Sequence, residues 1–219
     1  MSLSCIEVLT SKEPTSTIIW LHGLGADGRD FEAIVPELNL DPSLAIRFIF
    51  PNAASIPVTI NGGMVMPAWY DILDMSIDRK VDTKQLNQSA TDIITLVEQE
   101  IARGIPSEKI ILAGFSQGGA VVYQAALTYH KPLAGLLAMS TYLATSETIV
   151  LAENNAKLPM MVMHGSQDPV VPESLGQFAK SFFIDKGYNC QYKTYLMQHS
   201  VCAEQITDIS RWINKTLMS

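Results

Sequence analysis

Ser116 lies in the pattern Gly-x-Ser-x-Gly, which runs from Gly114 to Gly118. An apolar stretch at 109–113 leads into this pattern, and a segment of helical patterning at 119–130 follows it. A strand, a sharp turn and a helix in this order hold a serine above the edge of a sheet, where its hydroxyl can attack a carbonyl carbon. The two outer glycines remove side chains that would clash in such a turn. The pattern predicts a nucleophilic Ser116, against the alternative of an incidental serine in a glycine-rich turn.

A serine nucleophile needs a histidine base. In the strand–turn–helix setting the acid follows the serine in the chain and the histidine comes last. His199, which lies between an apolar stretch and the last helical segment, is therefore the predicted base, although it could be a helix-entry histidine. His130 ends a helical segment and is expected to cap it. His164 precedes the best acid candidate, which favours a buried structural role.

The predicted acid is Asp168, which follows the apolar stretch 159–163 in a turn rich in Gly and Pro. The carboxyl ends of strands are where sites of α/β sheets gather. There an aspartate would hold the base in the correct tautomer and stabilise its cation. The alternatives are a turn-forming aspartate before Pro169 and a rival acid, Asp185, which lies inside a helical segment.

An oxyanion formed by serine attack needs two backbone N–H donors. Gln117, which directly follows the serine, would supply one, and Leu24, in a glycine-rich turn after an early strand, would supply the other. The same turn matches the spacing of a dinucleotide-binding loop through three glycines, Gly23, Gly25 and Gly28. We discount that interpretation because the expected acidic residue about 20 residues later is missing from the stretch 45–51.

The elements that must position these residues alternate along the chain. Apolar stretches predict strands at Cys5–Leu9, Ser16–Leu21, 45–50, 109–113, 133–139, 159–163 and 191–196, with the first at an edge. Apolar positions at steps of three and four predict helices at 84–103, 173–186 and 203–217. Near-continuous apolar strands alternating with helices predict an α/β fold, with a mostly parallel sheet covered by helices on both faces. We expect one domain over residues 1–219.

Composition narrows the possible classes of protein. The chain has 219 residues and a mass of 24.0 kDa, with 47% apolar residues, 17% charged residues and a net charge of −7. This excludes a disordered chain, and it argues against nucleic acid as a partner. The three cysteines are too few for a disulfide framework or a zinc cage. We find neither a signal peptide nor a membrane-spanning stretch, and we expect a cytoplasmic protein without a metal.

The chain resembles the acyl-protein thioesterase and carboxylesterase family, also described as the phospholipase/carboxylesterase family. The matching blocks follow in order at 21–25, 50–53, 68–71, 114–119, 164–168 and 199–201. The resemblance implies an α/β-hydrolase fold without a lid domain, a Ser116–His199–Asp168 triad, and Leu24 and Gln117 as donors. It also implies hydrolysis of lipid-like acyl esters or thioesters, including acylated proteins, without a cofactor and often as a homodimer. The alternatives are a lysophospholipase acting on single-chain lipids and a non-catalytic receptor on the same fold.

Loops must form any acyl pocket, because only residues 140–158 separate two predicted strands where many lipases insert a cap. The predicted lining residues are Leu24, Ile60, Met64, Trp69, Phe115, Tyr142, Leu143 and Val170. The apolar segment 53–66, interrupted by Asn61, Gly62 and Gly63, predicts a short hairpin packed on the core. Alternatively, it is a mobile flap that covers the acyl chain and touches a membrane transiently.

Overall fold

Seven strands form the central sheet of the protein in a computed structural model, which describes residues 3–76 and 79–218. The strands of the chain are β1 Cys5–Leu9, β2 Ser16–Leu21, β3 Ile46–Pro51, β4 Ser55–Val58, β5 Met64–Pro67, β6 Ile72–Asp74, β7 Lys80–Val81, β8 Ile110–Phe115, β9 Gly135–Met139, β10 Met160–Gly165 and β11 Cys190–Tyr195. The sheet order is β1-β3-β2-β8-β9-β10-β11, and only the edge strand β1 is antiparallel to its neighbour. The predicted mostly parallel sheet and its edge strand are confirmed.

Helices cover both faces of this sheet. They are α1 Arg29–Glu32, α2 Ile34–Glu37, α3 Thr83–Ala102, α4 Gln117–Thr128, α5 Glu173–Asp185 and α6 Ala203–Met218. Successive residues of a strand point to opposite faces, so Ile19 belongs to the apolar layer that includes α3, α4 and α5, while Trp20 belongs to the layer that includes α1, α2 and α6. These two apolar layers explain why all six residues of β2 are buried.

The helix ends follow local chemistry. Asp82 precedes α3, and its carboxylate accepts a hydrogen bond from the Gln85 backbone N–H at 2.9 Å. Gly104 follows the same helix with φ 100°, a conformation that glycine adopts without strain. Helix α4 ends at Thr128, and the His130 ring packs edge-on against Tyr129. The predicted capping role of His130 is therefore wrong.

Strands β4 and β5 form an antiparallel hairpin over the segment for which a hairpin was predicted. A 3-10 turn at Thr59–Asn61 joins them, and Asp71 accepts hydrogen bonds from the Thr59 N–H and hydroxyl at 2.7 and 2.6 Å. The side chains of Met64 and Val65 are 63% and 64% exposed. The predicted hairpin is confirmed. The prediction that it packs on the core is wrong for strand β5, because the side chains of Met64 and Val65 point to the surface.

The connection from β9 to β10 holds only turns, bends and a 3-10 helix at Glu153–Asn155. One 3-10 helix and short turns cannot form a separate layer over the sheet. The carboxyl ends of the central strands therefore remain accessible between loops.

Candidate active site

Ser116 occupies the turn between β8 and α4 with φ 53° and ψ −120°, a conformation that non-glycine residues rarely adopt. The backbone around it is too close for side chains. A Cβ atom on Gly114 would lie 2.5 Å from the Gly118 carbonyl oxygen, and one on Gly118 would lie 2.5 Å from the His22 carbonyl oxygen. Both glycines of the sequence pattern are thus required by close backbone approach, and the turn raises the Ser116 hydroxyl above the sheet.

Three predicted residues come together at the carboxyl ends of the central strands. The Ser116 Oγ atom lies 2.9 Å from His199 Nε2, and His199 Nδ1 lies 2.7 Å from Asp168 Oδ2. Asp168 follows β10, and His199 follows the neighbouring strand β11. The aspartate side chain is fully buried and that of the histidine is 17% exposed, so the chain of hydrogen bonds runs from the interior to the cavity.

Asp168 is held as a carboxylate. Burial would raise its pKa, but the hydrogen bond from His199 and those from the backbone N–H groups of Val171 and Val170 outweigh burial, and the pKa lies below the ordinary value. An ionised carboxylate can only accept, so it selects the His199 tautomer with a proton on Nδ1. The lone pair of Nε2 then points to the serine hydroxyl, as a general base requires.

Leu24 and Gln117, the predicted N–H donors, both line the cavity above Ser116. Gln117 is the first residue of α4, and the first N–H groups of a helix have no acceptor within that helix. Leu24 lies in a tight turn in which the Gly25 N–H donates to the Pro67 carbonyl at 2.8 Å. Both predicted donor residues thus border the same cavity as the serine.

The turn that carries Leu24 is fixed by His22. Its Nδ1–H donates to the Gly23 carbonyl at 2.7 Å, and its Nε2 atom accepts from the Ala53 N–H at 3.1 Å. Burial lowers the pKa of His22, which keeps the ring neutral and able to accept. Gly28 has a separate packing role, because a Cβ atom there would lie 2.5 Å from the Phe50 carbonyl oxygen. Close packing against β3 therefore accounts for the third glycine of the dinucleotide-like spacing.

The side chain of Gln117 has a role that the sequence did not reveal. Its Oε1 atom accepts from the Trp69 N–H at 2.8 Å, and its Nε2 donates to the Tyr70 carbonyl at 2.7 Å. The residue after the serine thereby anchors the segment that follows the hairpin. No periodicity marks this contact, which joins residues 48 positions apart.

A cavity of about 250 Å³ opens above Ser116. Five of the predicted lining residues border it: Leu24, Ile60, Phe115, Tyr142 and Val170. Ile72, Met75 and Arg79 also border it and were missed, because they follow the hairpin in a short stretch without a strong pattern.

The other three predicted lining residues lie elsewhere. Trp69 is buried beneath the cavity, where its indole N–H donates to the His22 carbonyl at 2.9 Å. Leu143 borders a second cavity, described below, and Met64 projects to the surface from β5. For these three residues the prediction of substrate contact is not supported by their position.

Two of the three cysteines are poor rivals to Ser116 as nucleophiles, because their thiolates do not form easily. Burial raises the pKa of Cys5 and of Cys190 to about 11. Among residues 3–76 and 79–218, no three His, Cys, Asp or Glu side chains are grouped closely enough to hold a metal ion. In the same part of the chain, every helix is too short or too polar to cross a membrane.

Known proteins share this architecture. The sequence profile of the Phospholipase/Carboxylesterase family matches residues 4–217. Acyl-protein thioesterase 1 of Neurospora crassa is 37% identical over 93% of this chain and 87% of its own length, and the Saccharomyces cerevisiae protein of the same name is 38% identical over 93% of each. The crystal structure of Arabidopsis thaliana SOBER1 superposes with a TM-score of 0.86 at 30% identity, covering 92% of this chain and 99% of SOBER1. This chain is thus a hydrolase with the α/β-hydrolase fold and belongs to the Phospholipase/Carboxylesterase family.

Proposed function

We propose that this chain hydrolyses acyl thioesters and esters through a Ser116–His199–Asp168 triad and an acyl-enzyme. One observation carries the proposal: the hydrogen bonds of 2.9 and 2.7 Å that link serine, histidine and aspartate end at a mostly apolar cavity. A non-catalytic receptor on the same fold would not require a histidine held in the basic tautomer by a buried carboxylate.

In the acylation step, His199 Nε2 removes the Ser116 proton as Oγ bonds to the acyl carbon. The carbonyl π electrons move to oxygen, and the N–H groups of Leu24 and Gln117 stabilise the oxyanion. Collapse of this intermediate breaks the bond to sulfur or oxygen, and His199 gives its proton to the leaving group. Asp168, which lies 2.7 Å from Nδ1, stabilises the imidazolium that exists between these two transfers.

Deacylation repeats the sequence with water as the nucleophile. His199 takes a proton from water, the hydroxide bonds to the acyl carbon, and the same two N–H groups hold the second oxyanion. The ester bond to Ser116 then breaks, His199 returns the proton to Oγ, and the carboxylic acid leaves. These steps need no cofactor, because all four proton transfers and both oxyanions are served by residues of this chain.

The cavity wall favours an acyl chain as the part of the substrate that binds inside. Leu24, Ile60 and Phe115 present apolar surface beside the serine. The names of the two fungal relatives point to acylated proteins as substrates. The family description names phospholipases, and our second candidate is hydrolysis of single-chain lipids as a lysophospholipase. Both use the same triad and differ only in the leaving group.

The exposed hairpin supports a further part of the proposal. Met64 and Val65 lie next to each other on its surface, and Leu73 and Met75 are exposed on the segment that follows. We propose that this surface contacts lipid transiently and so brings the cavity to acyl chains held at a membrane. Vesicle sedimentation with Met64→Ser/Val65→Ser tests this: weaker sedimentation is expected, and unchanged sedimentation would reject membrane contact through these residues.

A fluorophosphonate probe and an ester panel test the central proposal. The probe should label the wild type covalently. The wild type should also hydrolyse octanoyl thioesters, octanoyl esters and lysophospholipid, and comparison of the three rates gives its substrate preference. Ser116→Ala should lose both labelling and hydrolysis, whereas Ser181→Ala, on the exposed side of α5, should keep both. Labelling that persists in Ser116→Ala would overturn the proposal.

A further inference from the structure

Two cavities in this protein share one wall. The catalytic cavity of about 250 Å³ and a second cavity of about 580 Å³ are both lined by Arg79 and Tyr142. The second cavity extends between the loop 142–148 and the first turns of α5. The catalytic cavity alone is smaller than the roughly 300–1,000 Å³ of typical ligand sites. A long acyl chain attached to Ser116 would therefore reach the shared wall before all of it is enclosed.

The wall is made by a cation stacked on an aromatic ring. The Arg79 guanidinium lies 4.8 Å from the centre of the Tyr142 ring, an attractive arrangement. Arg79 Nη2 donates to the Val170 carbonyl oxygen, and Nη1 lies 3.3 Å from Met75 Sδ. Its Nε atom is buried and has no acceptor within residues 3–76 and 79–218.

The two halves of the wall are held differently. Tyr142 is 4% exposed, and its hydroxyl lies 2.8 Å from that of the fully buried Tyr70. Arg79 is half-buried, on a flexible stem, and its partners are a carbonyl, a thioether, and the ring face and hydroxyl of Tyr142. Within the ranges that the structure describes, no carboxylate forms an ion pair with it. Of the two side chains, Arg79 is the more exposed and the more flexible.

We propose that Arg79 is a removable stop at the far end of the acyl site and sets the acyl-chain length that the enzyme prefers. In the position seen, it confines the chain to the catalytic cavity. When Arg79 swings away from Tyr142, the distal carbons of the chain enter the second cavity against Leu143, Leu175 and Phe178. This inference rests on the proposed acyl hydrolase function and adds a specificity-determining residue to it.

The test is the ratio of kcat/KM for hexadecanoyl and octanoyl thioesters. Each methylene that gains an apolar surrounding raises kcat/KM about fourfold. Arg79→Ala should therefore raise the hexadecanoyl-to-octanoyl ratio by at least about tenfold. A purely structural role, such as support of the Asp168 loop through Val170, would lower both rates together and leave the ratio unchanged. In the double variant Arg79→Ala/Ser174→Trp, the indole should fill the second cavity and reverse most of the gain.

The control is Lys80→Ala, which removes the neighbouring positive charge from a residue that borders neither cavity. It should keep the wild-type ratio. An active Arg79→Ala enzyme with an unchanged or lower ratio would overturn the proposed role of Arg79 but not the proposed hydrolase function. A gain that Ser174→Trp does not reverse would have the same meaning. A wild type that hydrolyses neither thioester and resists the fluorophosphonate would reject the proposed function and this inference with it.

Discussion

His164, near the end of β10, and Asp168, which follows that strand, lie side by side, with the Nε2 atom of the histidine 3.7 Å from Oδ2 of the aspartate. The ring of His164 is fully buried, and its Nε2–H donates to the Val171 carbonyl at 2.8 Å. A Cβ atom on Gly176 would lie 2.4 Å from His164 Nδ1, so α5 packs directly on the ring. His164 thus supports the loop of the catalytic acid candidate from behind, consistent with the structural role expected for it.

This packing makes stability depend on pH. Burial lowers the pKa of His164, and burial also lowers that of His22. The unfolded chain then binds protons that the folded chain excludes, so the contribution is full above about pH 6.5 and is lost as the pH falls below it. We expect the free energy of unfolding to fall by up to about 1.4 kcal/mol per pH unit for each of these histidines. Urea unfolding of the wild type and His164→Gln at several pH values measures the slope, which should be smaller in the variant.

The control for that slope is His130→Gln, which removes a histidine whose side chain is 71% exposed and should leave the slope as in the wild type. An identical slope in His164→Gln and the wild type would contradict the account of His164, whatever the absolute stabilities.

Asp168→Asn should lower kcat by about 10⁴-fold, by analogy with other triads, because the amide can favour the wrong histidine tautomer. Asp185→Asn is the matched control: this residue ends α5 on the surface and should retain wild-type kcat. Steady-state kinetics on an octanoyl ester measures both. If Asp185→Asn were the damaging change, the assignment of the acid would be wrong.

Gln117→Ala should destabilise the fold by about 2–6 kcal/mol. The variant leaves the buried Trp69 N–H and Tyr70 carbonyl without partners, at about 1–3 kcal/mol for each group. Gln177→Ala, an exposed glutamine on α5, should change stability by no more than about 0.5 kcal/mol. Denaturant unfolding compares the two variants, and equal stabilities would refute the anchoring role of Gln117.

Ile60 and Met64 lie in the same hairpin but have different surroundings. Ile60 borders the cavity, whereas Met64 is 63% exposed. Ile60→Ser should therefore lower kcat/KM for octanoyl esters roughly tenfold more than for acetyl esters, since about two buried methylenes lose their contact. Met64→Ser in free solution should leave this preference as in the wild type. A larger loss in Met64→Ser would show that the hairpin folds over the substrate.

Periodicity and turn chemistry predict the framework of this site well. Hydrophobic strands ending in glycine-rich turns indicate where Ser116, Asp168 and His199 lie along the chain, and parallel strands bring such ends to one edge. Predicted strand limits differ from the observed ones by one to two residues at most ends, as for 109–113 against Ile110–Phe115. The triad groups need only backbone topology and local turns, and both leave strong patterns in sequence.

The walls of the cavity are less visible in sequence because they depend on long-range side-chain packing. Trp69 and Leu143 have the same apolar character as Ile60, yet they face the interior and the second cavity respectively. Arg79 stacks on Tyr142, 63 positions away along the chain, and a lone arginine carries no sign of such a partner. Which face a loop residue presents is decided by packing that periodicity does not encode.

The separation of wall from triad has an evolutionary consequence. Ser116 owes its position to glycines of its own turn, and Asp168 to backbone N–H groups, so neither depends on the side chains at positions 60 or 170. Substitutions at those wall positions can accumulate while the arrangement of Ser116, His199 and Asp168 is preserved. Related enzymes can therefore diverge in substrate preference while they keep the same reaction. Libraries randomised at the wall positions would likewise start from active enzymes when they are screened for new substrates.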